Sequence, residues 1–193
     1  MPDTKILVFA GSIRTGALSG KLAALAAKEI ALLDTEVTLI SLADYPLPLY
    51  DGDLEAEKGI PENALKLSRL IAAHQGVFIA TPEYNHSLPP LLKNTIDWVS
   101  RIRNDPAGPW RGKLFGTGST SDGPIGGARA LGDLRRVLAA GWGALVVPER
   151  VEVSEAQNAF DESGLLKESR PAAMLRRCCD SLVRHARGDG RRL

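Results

Sequence analysis

The chain has 193 residues, 44 % hydrophobic and 24 % charged, with a formal net charge of +1. A chain of this size buries enough surface to need neither metal nor disulfide to hold its core, and a near-neutral balance argues against a strongly electrostatic nucleic-acid binder. Cys178 and Cys179 are adjacent, which suits neither mutual pairing nor metal-ligand spacing. Together with an N-terminus unlike a signal peptide and the lack of any apolar run of about 20 residues, they predict a cytoplasmic protein with no membrane segment.

In chain order, Lys5-Ile6-Leu7-Val8-Phe9-Ala10 reads as a buried parallel strand ended by Gly11. A loop from Gly11 to Ser19 leads into a helix marked by Leu22, Leu25, Ala26 and Ile30. Glu36–Ile40 is a second strand, and the proline-rich stretch Tyr45–Tyr50 is a loop. Leu67, Leu70 and Ile71 mark a helix with Pro61 near its start. Gly76–Ala80 is a third strand, with a loop opening at Thr81. Leu92, Thr95, Ile96 and Val99 give the next helix an apolar face, with Pro89 and Pro90 in its first turn. Lys113–Thr117 is a fourth strand, Leu131, Leu134 and Leu138 mark a helix, and Ala144–Val147 begins a fifth strand. Ser169-Arg170-Pro171 starts a last helix carrying Leu175, Cys178 and Leu182. The arginines Arg184, Arg187, Arg191 and Arg192 read as a solvated tail, flexible from residue 188.

This alternation predicts one α/β domain over 1–187, a flavodoxin-like three-layer sandwich with a five-stranded parallel sheet in the order 2-1-3-4-5. Ligands of such sheets sit outside the carboxyl ends of the strands, at the switch point between the first and third. That selects three loops.

The first, Gly11 to Gly20, leads from a strand into a helix, and the free N–H groups and dipole there favour an anion. Ser12, Thr15 and Ser19 add hydroxyls, and Arg14 adds a guanidinium suited to phosphate. The loop is neither a dinucleotide G-x-G-x-x-G nor a P-loop, and it is sized for one terminal phosphate; a serine-rich turn with a surface arginine is the plainer reading. The second loop carries Pro82, Glu83, Tyr84, Asn85, His86 and Ser87. Tyr84 can wall a flat ring or pack beneath the loop, and Asn85 can meet a ring edge or form the turn. His86 is an exposed loop histidine with no assigned role. The third, Gly118 to Gly127, has four glycines, which permit close backbone approach to a ring or simply a flexible turn.

The runs Gly11-Ser12-Ile13-Arg14, Pro82-Glu83-Tyr84-Asn85 with Ser87-Leu88-Pro89, Leu92-Lys93-Asn94-Thr95-Ile96-Asp97-Trp98 and Gly126-Gly127-Ala128-Arg129 resemble the NADPH-dependent FMN reductase family. The likeness runs from about Lys5 to Val151 and is greatest to the bacterial quinone and chromate reductases. The resemblance implies bound, non-covalent FMN, NADPH or NADH as donor, and small acceptors such as quinones, chromate or other metal oxyanions. It also implies a homo-oligomer, a dimer or a dimer-of-dimers tetramer. Ser12, Arg14 and Ser19 would hold the phosphate, and Pro82, Glu83, Tyr84 and Asn85 would line the isoalloxazine with Ser121 beside it. The family often has serine where this chain has Ala17, and asparagine where it has Ser19; relatives can carry tyrosine at the position of Gly132. The chemistry would be the flavin's, so no catalytic side chain and no metal ligand is assigned. Arg101, ending the helix after the flavin loop, is either a cation that attracts an anionic oxidant or an ordinary helix-terminal charge. The other readings of the same fold are a flavodoxin-type electron carrier and a flavin-redox regulatory protein without turnover of its own.

Overall fold

A β-strand sends successive side chains to opposite faces, and in Lys5–Ala10 (β1) both sets are apolar: Ile6 and Val8 enter one core, Leu7 and Phe9 the other. Such a strand is stable only at the centre of a sheet covered on both sides. The computed structural model describes residues 4–102, 110 and 112–188 and puts it there. The sheet order is β2-β1-β3-β4-β5, every pairing parallel. The other strands are Glu36–Ile40 (β2), Gly76–Pro82 (β3), Leu114–Thr120 (β4) and Leu145–Val153 (β5).

On one face, Leu18–Ala31 (α1) and Ser169–Ala186 (α7) bury Leu22, Ile30, Leu175 and Leu182 against Phe78 and Val151. Close approach there needs a strand position without a side chain: a Cβ on Gly118 would lie 2.7 Å from Val151 Cγ1 and 3.0 Å from Leu22 Cδ2. The opposite face is covered by Glu62–Ala73 (α3), Pro90–Ser100 (α4) and Ala128–Arg136 (α5), which bury Leu67, Trp98 and Leu134 over Ile79 and Phe115. Burying a side chain such as Trp98 or Phe115 contributes about 1.5–3 kcal/mol each.

The proline-rich stretch is a loop, and α4 fastens it. Trp98 Nε1 donates to Pro48 O at 2.7 Å, Asn94 Nδ2 to the same carbonyl at 2.9 Å, and Tyr50 N to Asn94 Oδ1 at 2.8 Å. Gly52–Lys58 (α2) follows, a short helix that the apolar pattern did not predict because none of its residues is buried; Asp51 caps it, accepting from Asp53 N at 2.8 Å. Ala156–Ala159 (α6) is likewise too short to show a period.

Two strands run further than predicted: β3 includes Thr81 and Pro82, and β4 reaches Thr120; β5, for which the apolar pattern marks only a beginning, ends at Val153. β5 also carries a bulge: Val146 pairs with Phe115 but Arg150 with Thr117, so β5 takes four steps where β4 takes two. Pro148, which cannot donate to a ladder, lies inside it, and the Arg135 guanidinium fills the gap, donating to Val147 O at 2.9 Å and Thr117 Oγ1 at 3.1 Å. The basic C-terminal segment is less loose than expected. Arg184 pairs with Asp180 at 2.8 Å on α7, and Arg187 donates to Asp34 O at 2.9 Å and Thr35 Oγ1 at 3.0 Å. Arg191, Arg192 and the rest of the expected tail from 189 onward lie outside the described residues.

Candidate functional site

The three loops meet at the carboxyl end of the sheet. The first leaves β1 at Gly11, whose N–H donates to Ala80 O at 2.8 Å. It turns back into α1 through Ala17, which caps nothing: no side chain bonds the helix N-terminus and the first turn holds no acid. The first-turn N–H groups and the positive end of the helix are therefore open to an anion. Ser19 sits in that turn, 1 % exposed, and its Oγ has no hydrogen-bond partner. A buried hydroxyl left unmatched costs about 1–3 kcal/mol, so such an atom points to a missing ligand. Arg14 is exposed, and among the described residues its guanidinium has no hydrogen-bond or ion-pair partner.

The second loop is a two-residue hairpin. Tyr84 and Ser87 exchange both backbone hydrogen bonds at 3.0 Å, and Asn85 and His86 between them have φ of 49° and 64°. Positive φ at both central positions is the type I′ geometry, which suits asparagine. Asn85 thus forms the turn, at the edge of the cleft described below. Tyr84, 44 % exposed, stands at the base.

Glu83 also ties this loop to α5. Its Oε2 accepts from the backbone N–H groups of Arg129 and Ala130, both at 3.0 Å, capping α5 across the site. The helix's own N-cap, Gly127, has no side chain to do this. Oε2 is thereby committed to the α5 terminus. Ser87 Oγ donates to Asp133 Oδ2 at 2.6 Å, a bond that holds the Asp133 carboxyl below its usual pKa. Arg129 Nη1 donates to His86 Nδ1 at 3.1 Å. Glu83 Oε1 approaches the same nitrogen at 3.6 Å.

The third loop starts at Ser121, not Gly118, because β4 continues to Thr120. Ser121 N donates to Val153 O and Ala156 N to Ser121 O, both at 3.1 Å, and Ser121 Oγ accepts from Gly123 N at 3.2 Å. The glycines at its far end are required: Gly126 and Gly127 have φ of 61° and 79°, and a Cβ on Gly126 would lie 2.9 Å from Ser154 N.

Together the loops enclose a cleft of about 260 Å³. It gathers Ser12, Arg14 and Ser19 from the first, Pro82, Glu83 and Tyr84 from the second, and Ser121 from the third. Thr120 and Asp122 line it too; both lie in the third loop as the sequence reading bounded it, but neither was singled out, because a lone hydroxyl or acid among glycines carries no signal of its own.

Arg101 does not join them. It ends α4, where its Nε donates to Glu55 Oε1 and Oε2 at 3.0 and 2.9 Å, and its guanidinium lies 5.8 Å from the Tyr50 ring centroid. Hydrogen bonding to Glu55 raises its pKa further. The expected rim cation is a tie between α4 and α2, a helix the sequence reading lacked. Cys178 and Cys179 are fully buried in the α7 core; desolvation pushes the Cys178 thiol up to about 12 and raises Cys179 as well. Among the described residues no group of His, Cys, Asp or Glu could hold a metal ion, and no helix is long and apolar enough to cross a membrane.

A parallel sheet in this order, with an anion cradle at the switch point, defines a flavodoxin-like nucleotide-binding protein. Residues 4–158 match the model of the NADPH-dependent FMN reductase family, and the chain belongs to that family. It is 42 % identical to the quinone reductase of Escherichia coli K12 over 135 residues, 69 % of each chain. It is 36 % identical to an NAD(P)H-dependent FMN reductase of Pseudomonas aeruginosa over 191 residues, covering 96 % of this chain and 98 % of the relative. Among solved structures it resembles FerB, a flavoenzyme NAD(P)H:(acceptor) oxidoreductase from Paracoccus denitrificans, with TM-score 0.77 and 30 % identity over 97 % of this chain and 100 % of the other. The chain is an FMN-dependent oxidoreductase that draws on NAD(P)H. The site fits that cofactor: the uncapped α1 terminus, the orphaned Ser19 Oγ and the exposed Arg14 guanidinium are donors suited to an anion such as its phosphate.

Proposed function

We propose that the protein reduces small quinones with electrons from NAD(P)H through one FMN held in the 260 Å³ cleft. We further propose that it accepts chromate or other metal oxyanions, and that it works as a homo-oligomer. The observation that carries the cofactor site is the buried, partnerless Ser19 Oγ in the uncapped first turn of α1. The quinone assignment is supported by the 42 % identity to a quinone reductase.

When bound, FMN supplies hydride acceptance from the nicotinamide and electron release to the acceptor. The chain's own residues place and shield it. Ser12, Arg14 and Ser19 donate to the phosphate, with the α1 dipole behind them. Pro82, Tyr84 and Ser121 wall the ring, and loop N–H groups offer donors where reduction adds negative charge. Glu83 works at one remove: by capping α5 it fixes the hairpin that carries Tyr84. No side chain is needed as nucleophile or general base.

Calorimetry on the apo protein with FMN and riboflavin tests the cofactor assignment. FMN should bind more tightly, because only it has a phosphate for the α1 cradle. Equal affinity for the two would contradict the assignment.

A further inference from the structure

We propose that Asp122 sets the order of preference among acceptors: its carboxylate keeps the loaded cleft anionic, so that neutral quinones are favoured and anionic oxidants are slowed. This rests on the quinone-reductase reading above and ranks the acceptors within it.

Three charged side chains line the cleft, Arg14, Glu83 and Asp122. Two of them have work. Arg14 is the cation for the phosphate, and Glu83 gives Oε2 to the α5 terminus. Asp122 is exposed, and among the described residues its carboxylate has no hydrogen-bond or ion-pair partner. An aspartate before a glycine ordinarily makes the turn with its own side chain. Here Ser121 does so, its Oγ accepting from Gly123 N at 3.2 Å, which leaves the Asp122 carboxylate free of the backbone.

The charge balance follows. A phosphate monoester carries about −1.5 to −2 charges at neutral pH, and Arg14 with roughly half a charge from the α1 dipole offsets most of it. Glu83 lends its charge to the α5 terminus. No lining side chain is left to offset Asp122. Arg129 and Arg101 do not line the cleft; one donates to His86 Nδ1 and the other to Glu55. Asp122 follows Ser121, the residue that walls the ring, so its charge falls at the ring end of the cleft and not at the phosphate end. An acid there repels an incoming anion and leaves an uncharged quinone alone. Chromate, a dianion, meets that repulsion twice over. The same charge opposes the negative charge that reduction adds to the ring.

The test compares 1,4-naphthoquinone with its 2-sulfonate, which share one ring and one reaction: each takes two electrons from the reduced flavin and two protons, and leaves as the hydroquinone. FMN-loaded wild type, Asp122→Asn and Asp122→Glu are photoreduced without nucleotide, and reoxidation by each quinone is followed by stopped flow. The ratio of the sulfonate rate constant to the neutral one should rise about threefold in Asp122→Asn, the effect of two unit charges several ångströms apart in a wet cleft. Asp122→Glu should keep the wild-type ratio, and high salt should close the gap between wild type and Asp122→Asn. The midpoint potential of the bound FMN should also rise in Asp122→Asn and hold in Asp122→Glu. An unchanged ratio in Asp122→Asn, or the same change in Asp122→Glu, overturns the proposal. If neither quinone reoxidises wild type, the quinone reading is what fails; the potential then decides whether Asp122 acts through its charge, and an unmoved potential in Asp122→Asn overturns that as well.

Discussion

Ser19 and Arg14 hold opposite positions with respect to solvent, and both have groups to offer. One is a buried hydroxyl with no partner and the other an exposed guanidinium with none among the described residues, and both face the same uncapped helix end. Arg14→Ala should cost about 1.5–3 kcal/mol of FMN affinity, the range for a charged hydrogen bond. Riboflavin should lose much less, and an equal loss for both ligands in parallel titrations would remove Arg14 from the phosphate. Arg101 teaches the opposite lesson. Its charge was legible in the sequence, but its partner was not, because Glu55 sits on a helix with no buried face. Arg101→Ala should therefore affect anionic and neutral acceptors alike; a selective loss with chromate at low salt would restore the anion-site reading.

At the level of elements, the hairpin 84–87 and α5 form one unit, joined by Glu83 to the α5 backbone, by Ser87 to Asp133 and by His86 to Arg129. Glu83→Ala would strand two backbone donors and should lower the urea-unfolding free energy by about 1–3 kcal/mol, with Glu83→Gln recovering part of it. Gly126→Ala forces a Cβ into a left-handed backbone and against Ser154 N; a loss of about 1–3 kcal/mol in the same assay, with weaker FMN binding, is expected. The sheet order and both cores were readable in advance, because strand runs such as Ile6–Ala10 and Val77–Ala80 are apolar on both faces. The tertiary jobs of polar loop residues were not. The sequence marks Glu83, Tyr84 and Asn85 as unusual in a loop, but which one caps a helix, walls a cleft or makes a turn depends on α5, more than forty residues away. The strand ends were misjudged for a related reason: Gly118, Ser119 and Thr120 read as loop by composition, yet all three are buried and paired with β5.

Across the whole molecule, α7 closes one face of the sheet with two thiols that burial keeps neutral. Cys178 titrates near 12 in the fold against an ordinary value of 9.0. Its folded pKa is raised, so the unfolded chain loses this proton first. The contribution to stability is complete below pH 9 and falls as pH rises toward 12. Urea midpoints should decline across that window, and Cys178→Ala should flatten the decline; native protein at neutral pH should resist thiol reagents until it unfolds. The cleft lined by the three loops opens at the carboxyl end of the sheet, so everything proposed for this chain depends on a flavin being seated there. An anaerobic titration followed by absorbance tests that directly. The purified protein should be yellow, bleach on stoichiometric NADPH, and recover its colour when a benzoquinone is added with no protein acceptor present. A protein that stays colourless after incubation with FMN, or whose bound flavin is not bleached by either NADPH or NADH, would contradict the account.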